Sequence, residues 1–397
     1  MAAARAGAPA ASGVSPARSL VYALAVAAPG KPLVTANQVT VARLVPMPLL
    51  AWLVYQGDTG WWWAMGLAAI VGSTDYVDGQ LARKHGPTVL GALLDPLADK
   101  VFLALLWIPL ADLRFAPASA VALMFAREFL VTSMRSAYAQ RGIQFKTSYL
   151  AKVKTWVQMQ GVGTITLCVL VDRTGALLIL GTALAVPLLA FVILGLVRGR
   201  WYRNLWVAAA FSVVPIALYL IGDARGDLRI FVHGATWILT VLTWVSGLDY
   251  LVGGLPRLRA AGGFGRADLV RVIAAGALPL LAVAVMVHTP APAWPLLALL
   301  TFELALGGLD NLLSVHERAP APLLWAARTL GAVALLGGAL AVPDHAAALT
   351  IAAAALSALG AAVEFWRGRD LLWGRTEAPP SPSRASESRG REPARHR

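Results

Sequence analysis

Cysteine and charge are scarce in this chain. Cys168 is the only cysteine among 397 residues, so the sequence offers neither a disulfide framework nor a cysteine-rich metal site. Charged residues make up 14% of the chain and apolar residues 58%, whereas a soluble domain carries about 25% charged residues. The apolar runs are long and do not alternate with polar residues, which predicts helices. The expected fold class is an all-α polytopic helical membrane protein.

Twelve segments are predicted to cross the membrane. They are 40–56, 61–82, 91–111, 117–139, 151–171, 175–197, 206–222, 230–252, 269–288, 293–311, 322–342 and 346–365. With the N-terminus inside, the outer loops hold only four arginines: Arg114, Arg173, Arg225 and Arg229. This asymmetry predicts both termini in the cytoplasm. The net charge of +13 therefore indicates orientation and contact with anionic lipid, and no nucleic-acid partner is expected.

The two ends of the chain differ from the rest in composition. Residues 1–36 are rich in Ala, Gly, Pro and Ser and are expected to form a flexible cytoplasmic leader, with a signal peptide as the alternative. Residues 376–397 are rich in Pro, Ser, Arg and Glu and are expected to be a disordered basic tail.

Four acidic residues lie inside strongly apolar sequence. A carboxylate in hydrocarbon costs about 3 kcal/mol, so four together need compensation, and divalent metal is the obvious source. Asp75 and Asp78 share one face of a predicted helix, and Asp95 and Asp99 share a face of the next. Such an all-oxygen set suits Mg²⁺ or Mn²⁺ rather than zinc. The alternative is a structural ion network in which the four acids pair with Arg83 and Lys100.

The spacing of these acids resembles the signature of the CDP-alcohol phosphatidyltransferases. That signature is D-x-x-D-G-x-x-A-R followed by G-x-x-x-D-x-x-x-D. It is matched at every position, by Asp75, Asp78, Gly79, Ala82, Arg83, Gly91, Asp95 and Asp99. The family transfers a phosphatidyl group from a CDP-linked lipid to an alcohol and releases CMP. Upstream, Asn37, Thr40 and Arg43 are similar to the family's N-x-x-T-x-x-R opening, although Asn37 equally suits a helix cap.

The resemblance implies a role for each matched residue. The four aspartates would hold two Mg²⁺ or Mn²⁺ ions that bridge the pyrophosphate, and Asp99 would also act as the general base. The small residues Gly79, Ala82 and Gly91 would admit the cytidine. Thr40 and Arg83 would complete the CDP-lipid site, Arg83 either by contacting phosphate or by pairing with an aspartate.

Basic residues further along resemble the phosphatidylglycerophosphate synthase branch of the family. The stretch A-K-x-K-T-x-x-Q begins at Ala151, where that branch usually has glycine. The implied acceptor is glycerol 3-phosphate, a small dianion whose pocket needs fixed cations. The candidate phosphate-binding residues are Arg127, Arg135, Lys152 and Lys154. As alternatives, the lysines are ordinary anchors at the cytoplasmic side and Arg127 pairs with a neighbour such as Glu128.

The resemblance divides the chain into a core and additional spans. Residues 37–255 are expected to hold a six-helix CDP-alcohol phosphatidyltransferase core, with a two-span insertion at about 173–229. Residues 256–375 add four spans of unknown role, on which Glu303 and Asp310 lie seven residues apart and share a face. Family members are commonly homodimers, an assembly that the added spans could block or replace.

The expected function is transfer of a phosphatidyl group from CDP-diacylglycerol to glycerol 3-phosphate. The expected location is a bacterial cytoplasmic (inner) membrane, with the active site facing the cytoplasm. Other acceptors remain open, namely phosphatidylglycerol as in a cardiolipin synthase, an inositol phosphate, or serine. A twelve-span transporter is the alternative from another class, although transporters of that size have paired halves around a midplane site.

Overall fold

The computed structural model of the chain describes residues 36–85, 89–143, 149–199, 201, 203–315 and 322–373. Within these ranges a minority of side chains fall outside the description, among them those of 75–79, 82–85 and 149–153. The described part of the chain consists of helices and short connections and contains no strand. The predicted all-α class is confirmed. The predicted leader and tail, 1–36 and 376–397, lie outside the described residues except for position 36.

The helices of the described residues are numbered here in chain order. The first ten are α1 (Ala36–Leu44), α2 (Met47–Val54), α3 (Gly57–His85), α4 (Val89–Asp112), α5 (Ala118–Ala139), α6 (Tyr149–Leu170), α7 (Arg173–Arg198), α8 (Arg203–Ala224), α9 (Arg229–Val245) and α10 (Leu248–Ala260). The remainder, called the extension below, comprises α11 (Arg266–His288), α12 (Ala293–Val315), α13 (Pro322–Trp325), a π-helical turn (Ala326–Leu330), α14 (Gly331–Ala341) and α15 (Ala346–Trp373).

Every predicted span coincides with a described helix, but two spans are broken. The segment 40–56 is interrupted between α1 and α2 at Pro46, which has no N–H and disfavours a helical residue before it. The segment 230–252 is interrupted at Ser246 and Gly247, between α9 and α10.

Among the described residues, five helical segments are long and apolar enough to cross a membrane by length and composition. They are Arg173–Arg198, Arg229–Ala260, Arg266–His288, Ala293–Ser314 and Pro343–Asp370. Helix α4 is not among them because Asp95, Asp99 and Lys100 interrupt its apolar sequence. Charged side chains interrupt α5 in the same way.

Helices α4 and α5 form the centre of the bundle. Residues 101–110 of α4 are all buried, as is most of α5. Helices α1 and α2 pack against both α3 and α4, and α9 packs against α5 and α6. The hairpin of α7 and α8 lies at the edge, where apolar residues of α7 such as Leu196 are exposed. Exposed apolar side chains are expected on a surface that faces lipid.

The extension packs directly on the two central helices. Helix α11 lies along α5, and α12 contacts α4 and α5. Small residues permit this close approach: a Cβ atom at Gly276 would come within 2.8 Å of Leu130, and one at Gly307 within 2.9 Å of Thr132. Beyond α5, Arg141 forms an ion pair with Asp268 at the start of α11. The added spans therefore share one core with the helices of the candidate site.

Candidate active site

The acidic half of the site is described on α4. Asp95 and Asp99 lie one helical turn apart, and Gly91 lies one turn earlier. Thr40 on α1 donates a hydrogen bond to Asp95 Oδ1 at 3.0 Å, and Arg43 Nη1 lies 3.6 Å from Asp99 Oδ1. Thr40 and Arg43 are buried, whereas the Asp99 side chain is 29% exposed. Helix α1 thus holds the two carboxylates from one side and leaves Asp99 accessible.

The other acidic residues of the motif lie on α3, which includes Asp75 and Asp78. Their side chains lie outside the described residues, as do those of Gly79, Ala82 and Arg83. It therefore remains a prediction that Asp75 and Asp78 of α3 face Asp95 and Asp99 of α4. Among the side chains that are described, no three His, Cys, Asp or Glu groups come together. Asp95 and Asp99 supply hard oxygen donors on one helix face, and these fit Mg²⁺ or Mn²⁺.

The basic half of the site is organised around the carboxylate of Glu128 on α5. Glu128 Oε1 accepts a hydrogen bond from Lys154 Nζ of α6 and another from Arg127 Nη1 at 3.2 Å. Arg127 Nη2 also donates to Ser246 Oγ at 2.9 Å. All four side chains are buried. The pairing of Arg127 with Glu128, weighed above as an alternative, is present, and one carboxylate holds two of the predicted acceptor cations together.

Lys100 joins the acidic and basic halves. It follows Asp99 directly on α4, and its Nζ donates to Thr132 Oγ1 of α5 at 2.5 Å. Lys100 also interacts electrostatically with Glu128, with Lys154 and with both arginines of α5. Lys100 was not among the residues predicted for the acceptor pocket. A lysine inside an apolar helix is itself a functional signal, and it could have identified this residue.

Arg135 lies at the far side of the basic cluster. Its Nη2 donates to Tyr250 Oη, and its guanidinium carbon lies 4.9 Å from the centre of the Tyr250 ring. Tyr138 Oη donates to the carbonyl oxygen of Tyr250 at 2.9 Å. The tyrosine on α10 is therefore fixed by two residues of α5, which brings the last core segment to the site.

The interruption between α9 and α10 has a role in this packing. A Cβ atom at Gly247 would lie 2.9 Å from Arg127 Nε, so glycine allows the backbone to approach the guanidinium. On the same segment, Gln158 Nε2 donates to Thr243 Oγ1 at 2.8 Å. The two spans α7 and α8 thus do not prevent α9 from packing against α5 and α6.

The described basic cluster carries an excess of positive charge. Lys100, Arg127 and Lys154 share one carboxylate, that of Glu128, and Arg135 adds a fourth positive charge near both lysines. Such an excess attracts a small anion. Lys152, the remaining predicted cation, has its side chain outside the described residues.

The bundle is thus a polytopic helical membrane protein in which an acidic site and a basic pocket adjoin. Residues 33–191 match the family model described as CDP-alcohol phosphatidyltransferase. Among curated relatives, the CDP-diacylglycerol–glycerol-3-phosphate 3-phosphatidyltransferase of Bacillus subtilis is 40% identical over 102 residues. That match covers 25% of this chain and 53% of the relative. The protein of the same name from Rickettsia typhi is 34% identical over 128 residues, which cover 31% of this chain and 70% of the relative.

A longer match includes part of the chain beyond α7. The protein of the same name from Cereibacter sphaeroides is 27% identical over 234 residues, 56% of this chain and 96% of the relative. No solved structure matches the chain. The chain belongs to the CDP-alcohol phosphatidyltransferase family. It spans about half the length of the Bacillus subtilis relative and about two thirds of the Rickettsia typhi relative.

Proposed function

We propose that this protein transfers the phosphatidyl group of CDP-diacylglycerol to glycerol 3-phosphate, giving phosphatidylglycerophosphate and CMP. The observation that carries this proposal is the adjacency of Asp99 and Lys100 on α4. These two residues place a carboxylate of the family motif beside a pocket of four cations. The names of the relatives from Bacillus subtilis and Rickettsia typhi support the same donor and acceptor.

In the proposed reaction, a glycerol hydroxyl attacks the phosphorus atom that bears the diacylglycerol. The bond from that phosphorus to the oxygen of the CMP phosphate breaks, and CMP leaves with the electron pair. Asp99 takes the proton from the attacking hydroxyl. Asp75, Asp78, Asp95 and Asp99 would hold one or two Mg²⁺ or Mn²⁺ ions, which neutralise charge on the pyrophosphate.

The basic pocket would bind the phosphate of the acceptor. Lys100 and Lys154 supply point charges, and the guanidinium groups of Arg127 and Arg135 supply directed N–H donors. Glu128 fixes Lys154 and Arg127 in place. Glycerol 3-phosphate is a small dianion, whereas phosphatidylglycerol is a monoanion and serine has no net charge. The cationic pocket therefore favours glycerol 3-phosphate over phosphatidylglycerol or serine.

We further propose that the site faces the cytoplasm from a bacterial inner membrane, with both chain termini on the same side. The distribution of arginines between the connections supports this orientation. Residues 37–255 would form the catalytic domain, and 256–375 an additional membrane region.

The experiment that tests the function is an acceptor comparison on the purified full chain in detergent. Each tube contains CDP-diacylglycerol and Mg²⁺ with one of four acceptors: glycerol 3-phosphate, phosphatidylglycerol, inositol phosphate or serine. Release of CMP is measured. We expect release only with glycerol 3-phosphate, and a loss of at least about 100-fold in Asp99→Asn because the general base is removed.

Asp112→Asn provides a matched control on the same helix. Asp112 lies at the opposite end of α4 and accepts a hydrogen bond from Tyr55 Oη at 2.9 Å, so activity should be retained. Release with a different acceptor would overturn the assignment of the basic pocket to glycerol 3-phosphate. Equal loss in both variants would show that the effect is structural.

A further inference from the structure

The extension encloses a second polar space, which lies between α5, α11, α12 and the π-helical turn. We call it the extension chamber and define it by Ser133, Arg271, Glu303, Asp310 and Arg328. Including its open side, it measures about 480 Å³. Its enclosed interior holds roughly three water-sized groups. The enclosed part therefore admits a polar group, and the remainder of a small head group would occupy the open part, whereas a nucleotide is too large.

Part of the chamber's polar lining is already paired. Glu303 accepts hydrogen bonds from Ser357 Oγ at 2.7 Å and from Thr329 Oγ1 at 3.2 Å. Asp310 Oδ2 accepts one from Arg328 Nη2 at 3.0 Å. The two acids that share a face of α12 therefore have different surroundings: both oxygens of Glu303 are satisfied, whereas only one of Asp310 is.

Four buried polar atoms around the chamber have no hydrogen-bond partner among the described residues. They are Arg328 Nε and Nη1, Asp310 Oδ1 and Ser133 Oγ. The residues that carry them are 2%, 4% and 8% exposed, respectively. Buried donors and acceptors are normally satisfied, so unpaired atoms on three residues that line one space indicate a polar ligand.

The chemistry of these atoms restricts that ligand. The guanidinium N–H groups of Arg328 match phosphate oxygens, and Arg271, on the chamber wall, adds a second positive charge. Asp310 Oδ1 requires a donor. The charges of the two arginines are balanced by the carboxylates of Asp310 and Glu303. The chamber therefore has no excess of positive charge, which disfavours binding of a free phosphate dianion. A phosphodiester that carries its own hydroxyl or ammonium donor satisfies both kinds of group.

The position of the opening indicates where such a ligand comes from. Arg271 is partly exposed, whereas Arg328, Asp310 and Ser133 are buried, so the chamber opens on the side of Arg271. Beside it on α11, Leu269 is 51% and Ile273 60% exposed. An apolar outer surface beside the opening is expected to face the lipid tails of the membrane.

We propose that the extension chamber binds the head group of a membrane phospholipid, with the phosphodiester at Arg328 and Arg271 and the head-group donor at Asp310. The acyl chains would lie along the outer face of α11. Thr132 also lines the chamber and bonds Lys100 through its hydroxyl. The bound lipid would thus be separated from the proposed acceptor pocket by α5. This proposal is independent of the reaction proposed above.

The test measures lipid binding to the delipidated full chain in detergent by native mass spectrometry, with titration to obtain Kd. The probes are phosphatidylglycerol, phosphatidylethanolamine, diacylglycerol with the same acyl chains, and inorganic phosphate. The variants are Arg271→Gln and Arg328→Gln. Arg259→Gln is the matched control, because Arg259 is an exposed arginine at the end of α10.

We expect saturable binding of a phospholipid that weakens at least about tenfold in Arg271→Gln and Arg328→Gln and is unchanged in Arg259→Gln. The tighter binder of the two phospholipids identifies the donor as hydroxyl or ammonium. Arg271→Gln leaves the Arg328–Asp310 ion pair intact. If Arg328→Gln does not fold, lipid binding by Arg271→Gln alone tests the proposal. Phospholipid that binds in the substrate site should bind equally to the wild type and to Arg271→Gln. A difference in binding between these two proteins therefore reports on the extension chamber.

Three results would overturn the proposal. Diacylglycerol that binds as tightly as the phospholipids would remove the role of the phosphate. Inorganic phosphate that binds as tightly as the lipids would make the chamber a site for a free ion. Unchanged phospholipid binding in Arg271→Gln would place the lipid elsewhere and leave the chamber to water.

Discussion

At the scale of single residues, the acidic motif depends on a helix that precedes it. Thr40 is fully buried and donates to Asp95, and Arg43 lies beside Asp99. Both come from α1, more than fifty residues away along the chain. Hydrogen bonds of this kind orient a carboxylate, and their loss weakens metal binding by about 10- to 100-fold. Helix α1 is therefore part of the site.

The first prediction concerns Thr40. Thr40→Val keeps the shape of the side chain and removes the hydroxyl, so Asp95 loses a hydrogen bond. We expect the Mg²⁺ concentration that gives half-maximal activity to rise by about tenfold, with little change in activity at saturating Mg²⁺. The measurement is a Mg²⁺ titration of CMP release after treatment with a chelator.

Thr40→Ser restores the donor and is the matched control for that titration. Its Mg²⁺ dependence should resemble that of the wild type. An unchanged Mg²⁺ dependence in Thr40→Val would mean that Asp95 needs no orientation from α1. Full activity without any divalent ion would contradict the proposed metal site itself.

The second prediction concerns Lys154, which is buried and bonded to Glu128. Lys154→Met removes one charge of the acceptor pocket, and a lost charged hydrogen bond costs about 1.5–3 kcal/mol. We expect KM for glycerol 3-phosphate to rise by about 10- to 100-fold, since 1.4 kcal/mol corresponds to tenfold. KM for CDP-diacylglycerol should remain close to that of the wild type.

Lys154→Arg retains the charge and should recover part of the affinity for glycerol 3-phosphate. A purely structural role predicts something different, namely a lower Tm and similar losses for both substrates. Steady-state kinetics in which each substrate is varied in turn, together with a melting curve, separate the two.

Much of the site could be predicted at this scale because its residues are costly in an apolar setting. A charged side chain in a membrane segment needs a partner or a ligand, and this identified Asp95 and Asp99. Arg127 was identified from the resemblance to the phosphatidylglycerophosphate synthase branch. Lys100 was not placed in the acceptor pocket, and Arg328 was not noticed. Their partners are Thr132 and Asp310, and only the packing of helices decides which residues meet.

At the scale of helices, close contact between α12 and α5 connects the extension to the site. Gly307 of α12 faces Thr132, and Thr132 accepts a hydrogen bond from Lys100. β-Branched side chains such as threonine have restricted χ1 angles in helices. A side chain at Gly307 therefore displaces the helix or turns Thr132 away from Lys100.

The third prediction follows from that contact. Gly307→Ala places a Cβ within 2.9 Å of Thr132 Cγ2, and overpacking of this kind costs about 1–3 kcal/mol. We expect a lower Tm and a several-fold loss of activity with glycerol 3-phosphate. Thermal unfolding and CMP release are measured on the same preparations.

Gly337→Ala is the matched control in another helix of the extension. No atom lies within 4 Å of a Cβ built there, and alanine is the better helix former by about 1 kcal/mol. This variant should be as stable as the wild type or more so. If both variants behave alike, the contact between α12 and α5 has no influence on the site.

The helices themselves were largely predictable, but their arrangement was not. Long apolar runs predicted all twelve helical segments, but the interruption of the first segment at Pro46 was not predicted. An apolar run does not specify which other helix packs against it, because apolar side chains form no directional contacts. The docking of α11 along α5, through Gly276, is therefore known only from the structure.

At the scale of the whole molecule, the extension and the core form one bundle with two polar sites. Both sites contact α5, one through Arg127 and Glu128 and the other through Ser133. If the chain is oriented as proposed, both lie toward the cytoplasmic half of the membrane. The orientation is therefore the property on which the placement of substrates depends.

The last prediction tests that orientation with the single native cysteine as background. Cys168 is fully buried, so a membrane-impermeant maleimide should not label the unmodified protein. Ala224 and Ala261 are both exposed, the first at the end of α8 and the second directly after α10. In intact spheroplasts we expect labelling of Ala224→Cys and not of Ala261→Cys. After permeabilisation both should react, because only the membrane protects Ala261→Cys. The reverse pattern would place the carboxylates of α4 on the outer side, away from cytoplasmic glycerol 3-phosphate, and would contradict the proposed function.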